Sequence, residues 1–438
     1  MKKLTHIAVI FLLGTGSAFR TPAQPSLSFE IGRHKAILKQ VENTVKKNYY
    51  DPNFKGINID AKFDEAVAQM DKAESIGQLS GIIAAFLDDF DDSHLFFVPP
   101  GKRNKTDYGF DFRGYGDKCF ITKVKNDSDA AKKGLSVGDV LLGINQFAAS
   151  RDNIWRLSYY FFILRPQPAL KLSVVKVNGA RAEYVVTPKM TPGKQITDLT
   201  DSIDWNNYIR EDEDDYRKEQ RQYISEAIPE AFIWKMPNFM LEPERVDGIV
   251  AKARKFPAMI IDLRGNPGGR VDTVSRLVGD IFPTQIKLFD EKKRKGSKEV
   301  VAKSTGKDAY AGKVVVLIDS RSASGAEILS RVLQLEKRGV VFGDRSEGAV
   351  MESIFFPDQF GVDVVVPFGT SVTIADLIMT DGKSLEKVGV TPDFVVIPHG
   401  GDLAARRDPV MAAALASVGS KLTPEEAGKI FPADDDKN

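Results

Sequence analysis

The first quarter of the chain repeats apolar residues at the spacing of amphipathic helices. In "RHKAILKQVENTVKKNYY" and "AKFDEAVAQMDKA", apolar side chains recur every three or four positions. "SIGQLSGIIAAFLDDF" continues this spacing, and Ser75 stands where a helix N-cap is expected. The pattern breaks at "VPPGKRNK", because proline and glycine interrupt helices. It predicts an N-terminal helical domain over residues 25–98.

A second region replaces helical spacing with short strands. "YGFDFRG", "KCFITKV", "GDVLLGINQF" and "LKLSVVKV" are apolar runs of strand length. Between them, "NDSDAAKKGLSVGD" has the composition of a short helix that ends at glycine and is followed by a turn. The pattern predicts a compact β-rich domain over residues 99–190.

The third region alternates strands with helices. Residues 198–222 are strongly charged and are interpreted as a solvated linker. Over residues 231–400, strands such as "AMIIDLRG" alternate with helices such as "VDTVSRLVGDIF", which indicates βαβ units and a mainly parallel sheet. We therefore expect a multidomain α/β protein, with a core over residues 191–400 and a helical tail over residues 401–438.

The N-terminus has the pattern of a secretory signal peptide. Two lysines precede the apolar stretch "IAVIFLL", and small residues follow it. Residues 1–24 are therefore interpreted as a signal peptide that is cleaved after Ala18 or Ala23, and the protein is expected to be exported to the periplasm or beyond the cell. An uncut membrane anchor is the alternative. No later segment is long and apolar enough to span a membrane.

Composition narrows the classes of function. The chain has 61 basic and 60 acidic residues, a net charge of +1, so nothing draws it as a whole to nucleic acid or to an anionic membrane. A single cysteine, Cys119, excludes an internal disulfide framework and a cysteine-rich metal site. No zinc-ligand spacing is present, and we expect neither a metal nor a cofactor.

Three serines stand at a strand-to-helix junction. The apolar run "KVVVLI" is followed by "DSRSASGAEIL", which contains Ser320, Ser322 and Ser324. The first N–H groups of a helix lack partners within the helix and can stabilise the oxyanion that forms when a carbonyl is attacked. A serine nucleophile would suit this junction, but from this stretch alone an N-cap is the favoured interpretation, because most serines before helices only cap them.

A second turn strengthens the interpretation as a nucleophile. "MIIDLRGNPGGR" is a buried strand that ends in a glycine-rich turn, where Gly268 and Gly269 could present N–H groups to an oxyanion. The same turn could cradle a phosphate. However, it lacks both the dinucleotide fingerprint and the P-loop ending.

Taken in order, "DLRGNPGG", "DSRSASGAE" and "GDRSEGAV" resemble the C-terminal processing peptidases and the related tricorn-core serine peptidases. The resemblance implies a ClpP/crotonase-like βαβ catalytic core preceded by a PDZ-like domain. "AAKKGLSVGDVLLGINQ" resembles such a domain. "YGFDF" resembles its carboxylate-binding loop, which implies peptide binding by Tyr108, Gly109 and Phe110.

The resemblance also assigns roles at the serine cluster. The family's nucleophile lies three residues before the glutamate of its Ser-Ala-Ser-x-x-Glu motif, which here is Glu327, so Ser324 is selected. Gly325 would then supply one oxyanion N–H, and Gly269 or Gly268 the other. Ser320 and Ser322 would be turn or capping residues.

The sequence departs from the Ser–Lys branch of this family. Ala349 stands where that branch carries its lysine base, and a methyl group accepts no proton. Another base is therefore needed, or the enzyme is inactive. The chain has four histidines, namely His6, His34, His94 and His399.

His94 is the preferred base, because "DDSHLFF" resembles the Asp-Ser-His stretch of the tricorn-like branch. The resemblance implies a Ser324–His94–Glu386 relay in which Ser93 assists. The alternatives are a structural His94 paired with a neighbouring aspartate, and a Glu386 that is only an exposed turn charge.

We therefore expect an exported serine endopeptidase that acts through an acyl-enzyme. Its PDZ-like domain would recognise the C-termini of peptide or protein substrates. It would bind no nucleic acid, and the sequence is compatible with an oligomer. The alternative is a catalytically inactive, peptidase-like binding protein for peptides or apolar ligands.

Overall fold

A computed structural model describes residues 26–100, 104–192, 220–225, 227–361 and 366–431. The predicted signal peptide and most of the charged segment 198–222 lie outside the described residues. The helices of the N-terminal region are α1 (Leu27–Asn48), α2 (Ile59–Met70) and α3 (Ile76–Asp88). Ser75 caps α3 through its hydroxyl, which accepts the N–H of Gln78, while the Gln78 side chain accepts the N–H of Ser75.

The helical pattern ends at Asp88, and the chain then forms strand β1 (Phe96–Val98). The apolar face of the three helices packs around residues such as Ile37 and Leu87. This cluster also includes Phe368 and Val372 of a long strand much later in the chain. The run "LFFV" was expected to belong to the helical region, but it pairs with that strand instead.

The second region forms a six-stranded antiparallel sheet and a separate two-stranded one. Its strands and helices are β2 (Asn104–Asp107), β3 (Phe110–Tyr115), β4 (Lys118–Val124), α4 (Asp129–Lys132), β5 (Val140–Ile144), β6 (Phe147–Ala148), α5 (Ile154–Ser158), β7 (Leu170–Val175), β8 (Arg181–Val186) and β9 (Lys189–Pro192). The strand order is β3-β4-β5-β7-β8, with β6 beside β5. A π-helical turn over Tyr159–Leu164 follows α5 and covers the sheet with Phe161.

The third region is a three-layer core. Its first elements are β10 (Arg221–Tyr223), β11 (Ala231–Lys235), α6 (Pro243–Ala253), β12 (Ala258–Asp262), α7 (Val271–Ile281), β13 (Ile286–Lys293) and β14 (Ser297–Ala302). These are followed by β15 (Lys313–Ile318), α8 (Gly325–Leu335), β16 (Gly339–Gly343), β17 (Met351–Phe360), β18 (Val366–Met379), β19 (Phe394–Val395), α9 (Gly400–Ala404), α10 (Pro409–Ser417) and α11 (Pro424–Ala427).

The central sheet of this core has the order β10-β11-β12-β15-β16-β19, and every pairing from β11 onward is parallel. Helices α6, α7 and α8 bury apolar residues such as Val274 and Ile328 on one face. Helices α10 and α11 bury Val410 and Met411 on the other. Because both faces are covered, its strands are near-continuously apolar. The predicted multidomain α/β fold class is confirmed.

A second sheet links the core to the N-terminal helices. Strand β18 pairs with β1, β13 and β17, all antiparallel. The segment after α3 is therefore held beside the core, and this brings residues 92–94 close to it. Among the described helices, none combines the length and the apolar character that crossing a membrane requires.

Candidate active site

Ser324 lies at the sharp turn between β15 and α8. Its backbone has φ 50° and ψ −115°, a region that L-residues rarely occupy. Such a conformation costs on the order of 1–3 kcal/mol and persists only where neighbouring contacts hold it. Here the N–H of Ser324 donates to the carbonyl of Ala349 at 2.8 Å and to the Glu327 carboxylate at 3.0 Å. These two contacts hold the strained turn.

Glu327 ties this turn to the loop that contains Ala349. Its fully buried carboxylate also accepts the Ser346 hydroxyl and the N–H groups of Gly348 and Ala349, the latter two at 2.9 Å. Burial raises the pKa of Glu327 to about 7, against the opposing effect of these hydrogen bonds. Glu327 is therefore a positioning residue for Ser324.

The three serines of this turn differ in what their hydroxyls do. Ser322 is fully buried, and its hydroxyl donates to the Leu263 carbonyl at 2.8 Å and accepts the Asp319 N–H at 2.9 Å. The Ser320 hydroxyl donates to the Gly114 carbonyl at 2.5 Å. The hydroxyl of Ser324 donates to no described residue, and its oxygen faces the Glu327 N–H in a capping box. Ser324 is thus the serine of this turn whose hydroxyl proton has no acceptor among the described residues.

The glycine-rich turn after β12 packs directly against Ser324. A Cβ at Gly268 would lie 2.6 Å from the Ser324 Cβ, so only glycine fits at φ 96°. The Gly268 N–H donates to the Asn266 side chain at 2.8 Å and is therefore occupied. Within the described residues, the N–H groups of Gly269 and Gly325 have no acceptor. Of the two glycines named from sequence, Gly269 is the one with an open donor.

A hydrogen-bonded group is formed by Ser93, His94 and Glu386. The Ser93 hydroxyl lies 2.8 Å from Nδ1 of His94 and donates to Glu386 Oε2 at 2.8 Å. Glu386 Oε1 also accepts the Ser93 N–H at 2.9 Å. Asp92 accepts the His94 N–H at 3.0 Å and fixes the turn. The carboxylate thus reaches the imidazole through the serine hydroxyl.

One short segment, Ala349 and Val350, contacts both Ser324 and the hydrogen-bonded group of Ser93, His94 and Glu386. Glu386 Oε2 accepts the N–H of Val350 at 3.0 Å, and the preceding residue, Ala349, holds the Ser324 N–H. Burial lowers the pKa of His94, with an opposing contribution from the Asp92 carboxylate. His94 is therefore a neutral imidazole at pH 7, which is the form that accepts a proton.

The loop around Ala349 offers no lysine to replace His94. The side chain of Ala349 is buried. The neighbouring Lys387 donates its N–H to the Gly348 carbonyl, but its ammonium pairs with Asp91 at 2.9 Å. The half-buried Lys235 pairs with Asp262 at 3.3 Å. Both ammonium groups are thus engaged with carboxylates.

The sequence analysis did not assign the supporting roles of two residues, Asp92 and Asn266. Asp92 is buried and accepts the hydroxyls of Tyr49 at 2.9 Å and Thr373 at 2.6 Å, and it thereby anchors the turn before His94. Asn266 holds Gly268 and also accepts the Ala323 N–H at 2.9 Å. Asp92, directly before "SHLFF", could have been recognised as a supporting residue, because a carboxylate that is buried in an apolar run needs hydrogen-bond partners.

The antiparallel sheet of the second region contacts the nucleophile turn directly. The Arg113 guanidinium on β3 forms a short ion pair with Asp319, whose other oxygen accepts the N–H groups of Gly265 at 2.9 Å and Arg321 at 3.0 Å. The Arg321 guanidinium donates to the carbonyl of Phe112 at 2.6 Å. The free edge of β3 is thus held by the turn that carries Ser324.

The loop over Tyr108, Gly109 and Phe110 is closed by its own contacts. Gly109 has φ 73°, and its N–H donates to the Asp107 carboxylate at 2.9 Å. Tyr108 and Phe110 have buried side chains. A peptide carboxylate at Gly109 would have to displace Asp107, a group of the same charge. The geometry of this loop therefore does not favour a free carboxylate there.

The remaining described histidines lie elsewhere. His34 is buried in α1, and His399 is the residue before α9. Among the described residues, no group of histidine, cysteine or acidic side chains is arranged to hold a metal ion.

Residues 233–396 match the family model for peptidase family S41. The matched stretch contains Ser324, the glycine-rich turn with Gly268 and Gly269, and Glu386. The predicted resemblance to C-terminal processing peptidases is confirmed, while a PDZ domain is not shown.

Curated relatives extend this match. A carboxy-terminal-processing protease from Bartonella bacilliformis is 29% identical over 147 residues, which are 32% of this chain and 31% of that protein. A tail-specific protease from Haemophilus influenzae is 24% identical over 83% of this chain and 54% of its own length. A chloroplastic carboxyl-terminal-processing peptidase from Arabidopsis thaliana is 22% identical over 84% of this chain and 71% of its own length. The chain thus spans less than two thirds of the first two relatives.

Solved structures support the fold. Mature CPAF superposes with a TM-score of 0.65 at 13% identity and covers 90% of this chain and all of its own. CPAF in complex with lactacystin gives a TM-score of 0.62 at 13% identity, and the match covers 86% of this chain and 96% of that one. At this identity the likeness concerns the fold alone.

Proposed function

We propose that the protein is a serine peptidase that hydrolyses peptide bonds through an acyl-enzyme on Ser324. One observation carries the proposal. The hydroxyl of Ser324, which donates to no described residue, stands at a strained turn beside the open N–H groups of Gly325 and Gly269. A nucleophile flanked by two unused donors is the arrangement that acyl transfer requires.

The first half of the reaction begins with proton transfer from Ser324 to His94. Nε2 of His94 takes the proton as the serine oxygen attacks the peptide carbonyl carbon. The carbonyl oxygen gains the negative charge, which the N–H groups of Gly325 and Gly269 stabilise. His94 then gives its proton to the leaving amine, the C–N bond breaks, and the acyl group remains on Ser324.

Water completes the cycle. His94 accepts a proton from a water molecule whose oxygen attacks the ester carbonyl, and it returns this proton to Ser324 as the acid leaves. Ser93 keeps Nδ1 of His94 hydrogen-bonded, and Glu386 holds Ser93 by two hydrogen bonds. Glu386 is thus a positioning residue that acts through Ser93.

The substrates in this proposal are peptides or unfolded proteins, as the family and the names of the relatives suggest. The pattern of residues 1–24 supports export to the periplasm or outside the cell. The rival proposal is an inactive binding protein on the same fold. It is favoured only by Ala349 in the position of a lysine base.

Hydrolysis of a fluorescently quenched casein distinguishes these proposals. The wild-type chain should release fluorescence with multiple turnovers, whereas Ser324→Ala should lose activity by about a thousandfold or more. The matched control is Ser330→Ala, which should keep most of the activity. Ser330 is a buried serine on α8 whose hydroxyl donates to the Ala326 carbonyl. Equal turnover by wild type and Ser324→Ala would reject the proposed nucleophile, and no turnover by wild type would favour the binding protein.

A further inference from the structure

The loop between β16 and β17 carries a carboxylate that the proposed reaction does not use. Glu347 lies on this loop, and its N–H donates to the Ser322 carbonyl at 3.0 Å. Two residues later, the Ala349 carbonyl accepts the Ser324 N–H at 2.8 Å. The backbone of Glu347 is therefore fixed directly beside the nucleophile turn.

The two neighbours of Glu347 are turned toward the protein interior, whereas its own side chain is not. The Ser346 hydroxyl and the Gly348 N–H both donate to the buried Glu327 carboxylate. The side chain of Glu347 is exposed, and it makes no hydrogen bond or ion pair with any described residue. A carboxylate beside the nucleophile turn is thus left open to a ligand.

This carboxylate lies in a recess between the nucleophile turn and His94. Although the side chain is exposed, desolvation by the surrounding protein raises the pKa of Glu347. A group that is exposed and still desolvated is surrounded by protein on several sides and open on one. Four charged groups act on it, two from the nucleophile turn and two from beside His94: Arg321, Asp319, Glu386 and Lys387. A peptide held for attack by Ser324 is therefore within reach of this recess.

The two cations near the recess are engaged with other groups. The Arg321 guanidinium donates to the Phe112 carbonyl at 2.6 Å, and the Lys387 ammonium pairs with Asp91 at 2.9 Å. Neither forms an ion pair with Glu347. The negative charge of Glu347 is thus uncompensated in a partly desolvated place, where a cation is attracted more strongly than at an open surface.

We propose that Glu347 selects substrates that carry a lysine or arginine side chain close to the bond that Ser324 cleaves. The cationic side chain enters the recess and pairs with the Glu347 carboxylate, which fixes the position of the peptide relative to Ser324. An acidic side chain at the same place is repelled, so the preference has an attractive and a repulsive part. The inference rests on the proposed peptidase function and names the substrate class of the same site.

Kinetics with a scanned set of peptides tests this selection in the full chain. The substrates are quenched decapeptides of alanine, leucine and serine in which one position is Lys, Gln or Glu, and mass spectrometry locates the cleaved bond. At one position relative to that bond, kcat/KM should be at least about tenfold higher for Lys than for Glu, with most of the difference in KM. Added salt should reduce this ratio, because it screens the charge of Glu347.

Variants of Glu347 assign the preference to this carboxylate. Glu347→Gln should lower the ratio of Lys to Glu substrates to below about twofold, and Glu347→Lys should reverse it, which a folding defect could not do. The matched control is Glu336→Gln, which removes an exposed carboxylate at the far end of α8 and should leave the ratio unchanged. Equal rates for Lys and Glu at every position in the wild type, or a ratio that survives Glu347→Gln, would overturn the proposal.

A binding measurement separates this inference from the proposed function. In the full chain carrying Ser324→Ala, fluorescence polarisation with fluorescein-labelled versions of the same peptides should show tighter binding of the Lys peptide than of the Glu peptide. Adding Glu347→Gln should remove that difference. Failure of the wild type to hydrolyse any peptide would reject the proposed function alone, whereas equal affinity for the Lys and Glu peptides would reject the role of Glu347.

Discussion

The turn at Ser324 and the turn at Gly109 both place a residue at positive φ next to a strand, but they leave different groups free. At Ser324, φ is 50°, Ala349 and Glu327 hold the backbone N–H, and the hydroxyl donates to no described residue. At Gly109, φ is 73° and the N–H is taken by Asp107. A turn supports chemistry when buried partners hold its backbone and leave its reactive atom unused.

The largest expected effect concerns the proton acceptor. His94→Ala should lower kcat/KM by about a thousandfold or more, and combining it with Ser324→Ala should add little, because the two residues act as one unit. The assay is peptide hydrolysis by the single and double variants. Near wild-type turnover in His94→Ala would make the histidine structural and move the search for a base to other residues near Ser324.

One added methyl group at each turn should show that one turn serves activity and the other serves stability. Gly268→Ala would place Cβ 2.6 Å from Cβ of Ser324, so activity per folded molecule should fall by at least about a hundredfold. Gly109→Ala would place Cβ 2.2 Å from Cβ of Ser128 and should mainly lower thermal stability. Measuring active-site-normalised rates alongside melting temperatures checks this contrast. A reversed pattern, with Gly109→Ala inactive but stable, would contradict it.

Neighbouring serines should respond in opposite ways. Ser322→Ala leaves the Leu263 carbonyl and the Asp319 N–H without a buried partner, so the free energy of unfolding should fall by about 1–3 kcal/mol. Ser324→Ala removes a hydroxyl that donates to no described residue and should change that free energy by less than about 0.5 kcal/mol. Urea unfolding monitored by circular dichroism measures both. Equal destabilisation would mean that the Ser324 hydroxyl has a structural partner.

The smallest effect concerns pH. Because burial lowers the pKa of His94, the rate should rise with pH through a midpoint below the usual histidine value of about 6.5 and level off as the imidazole loses its proton. The nearby Lys387 ammonium also lowers that pKa. Lys387→Gln should therefore move the midpoint upward by a few tenths of a pH unit, whereas the exposed Lys383→Gln should not. An unchanged midpoint in Lys387→Gln would count against His94 as the titrating base.

The sequence predicted the elements well where a single pattern determines them. The apolar strands before Ser324 and Gly268 and the helix after Ser324 follow from local periodicity, and the parallel sheet follows from their alternation. Strand β1 was missed because "LFFV" continues an apolar helical run, and only its pairing with β18 makes it a strand.

The active site was harder to predict from the sequence than the helices and strands were. A family resemblance pointed to Ser93 and Glu386, but their contact joins residues 293 positions apart. The capture of the Gly109 N–H by Asp107 is a local Asx turn, which the order Asp107–Tyr108–Gly109 could have indicated. Arg113, which holds Asp319 behind the nucleophile, was missed because the two residues meet only when separate regions pack.

The central claim is that Ser324 is a nucleophile activated by His94. Reaction of the full chain with a fluorophosphonate probe, followed by mass mapping of the modified peptide, tests it most directly. We expect one adduct on Ser324, none on Ser320 or Ser322, and labelling that slows at least about a hundredfold in His94→Ala. An adduct on another serine, or equally fast labelling in His94→Ala, would contradict the account.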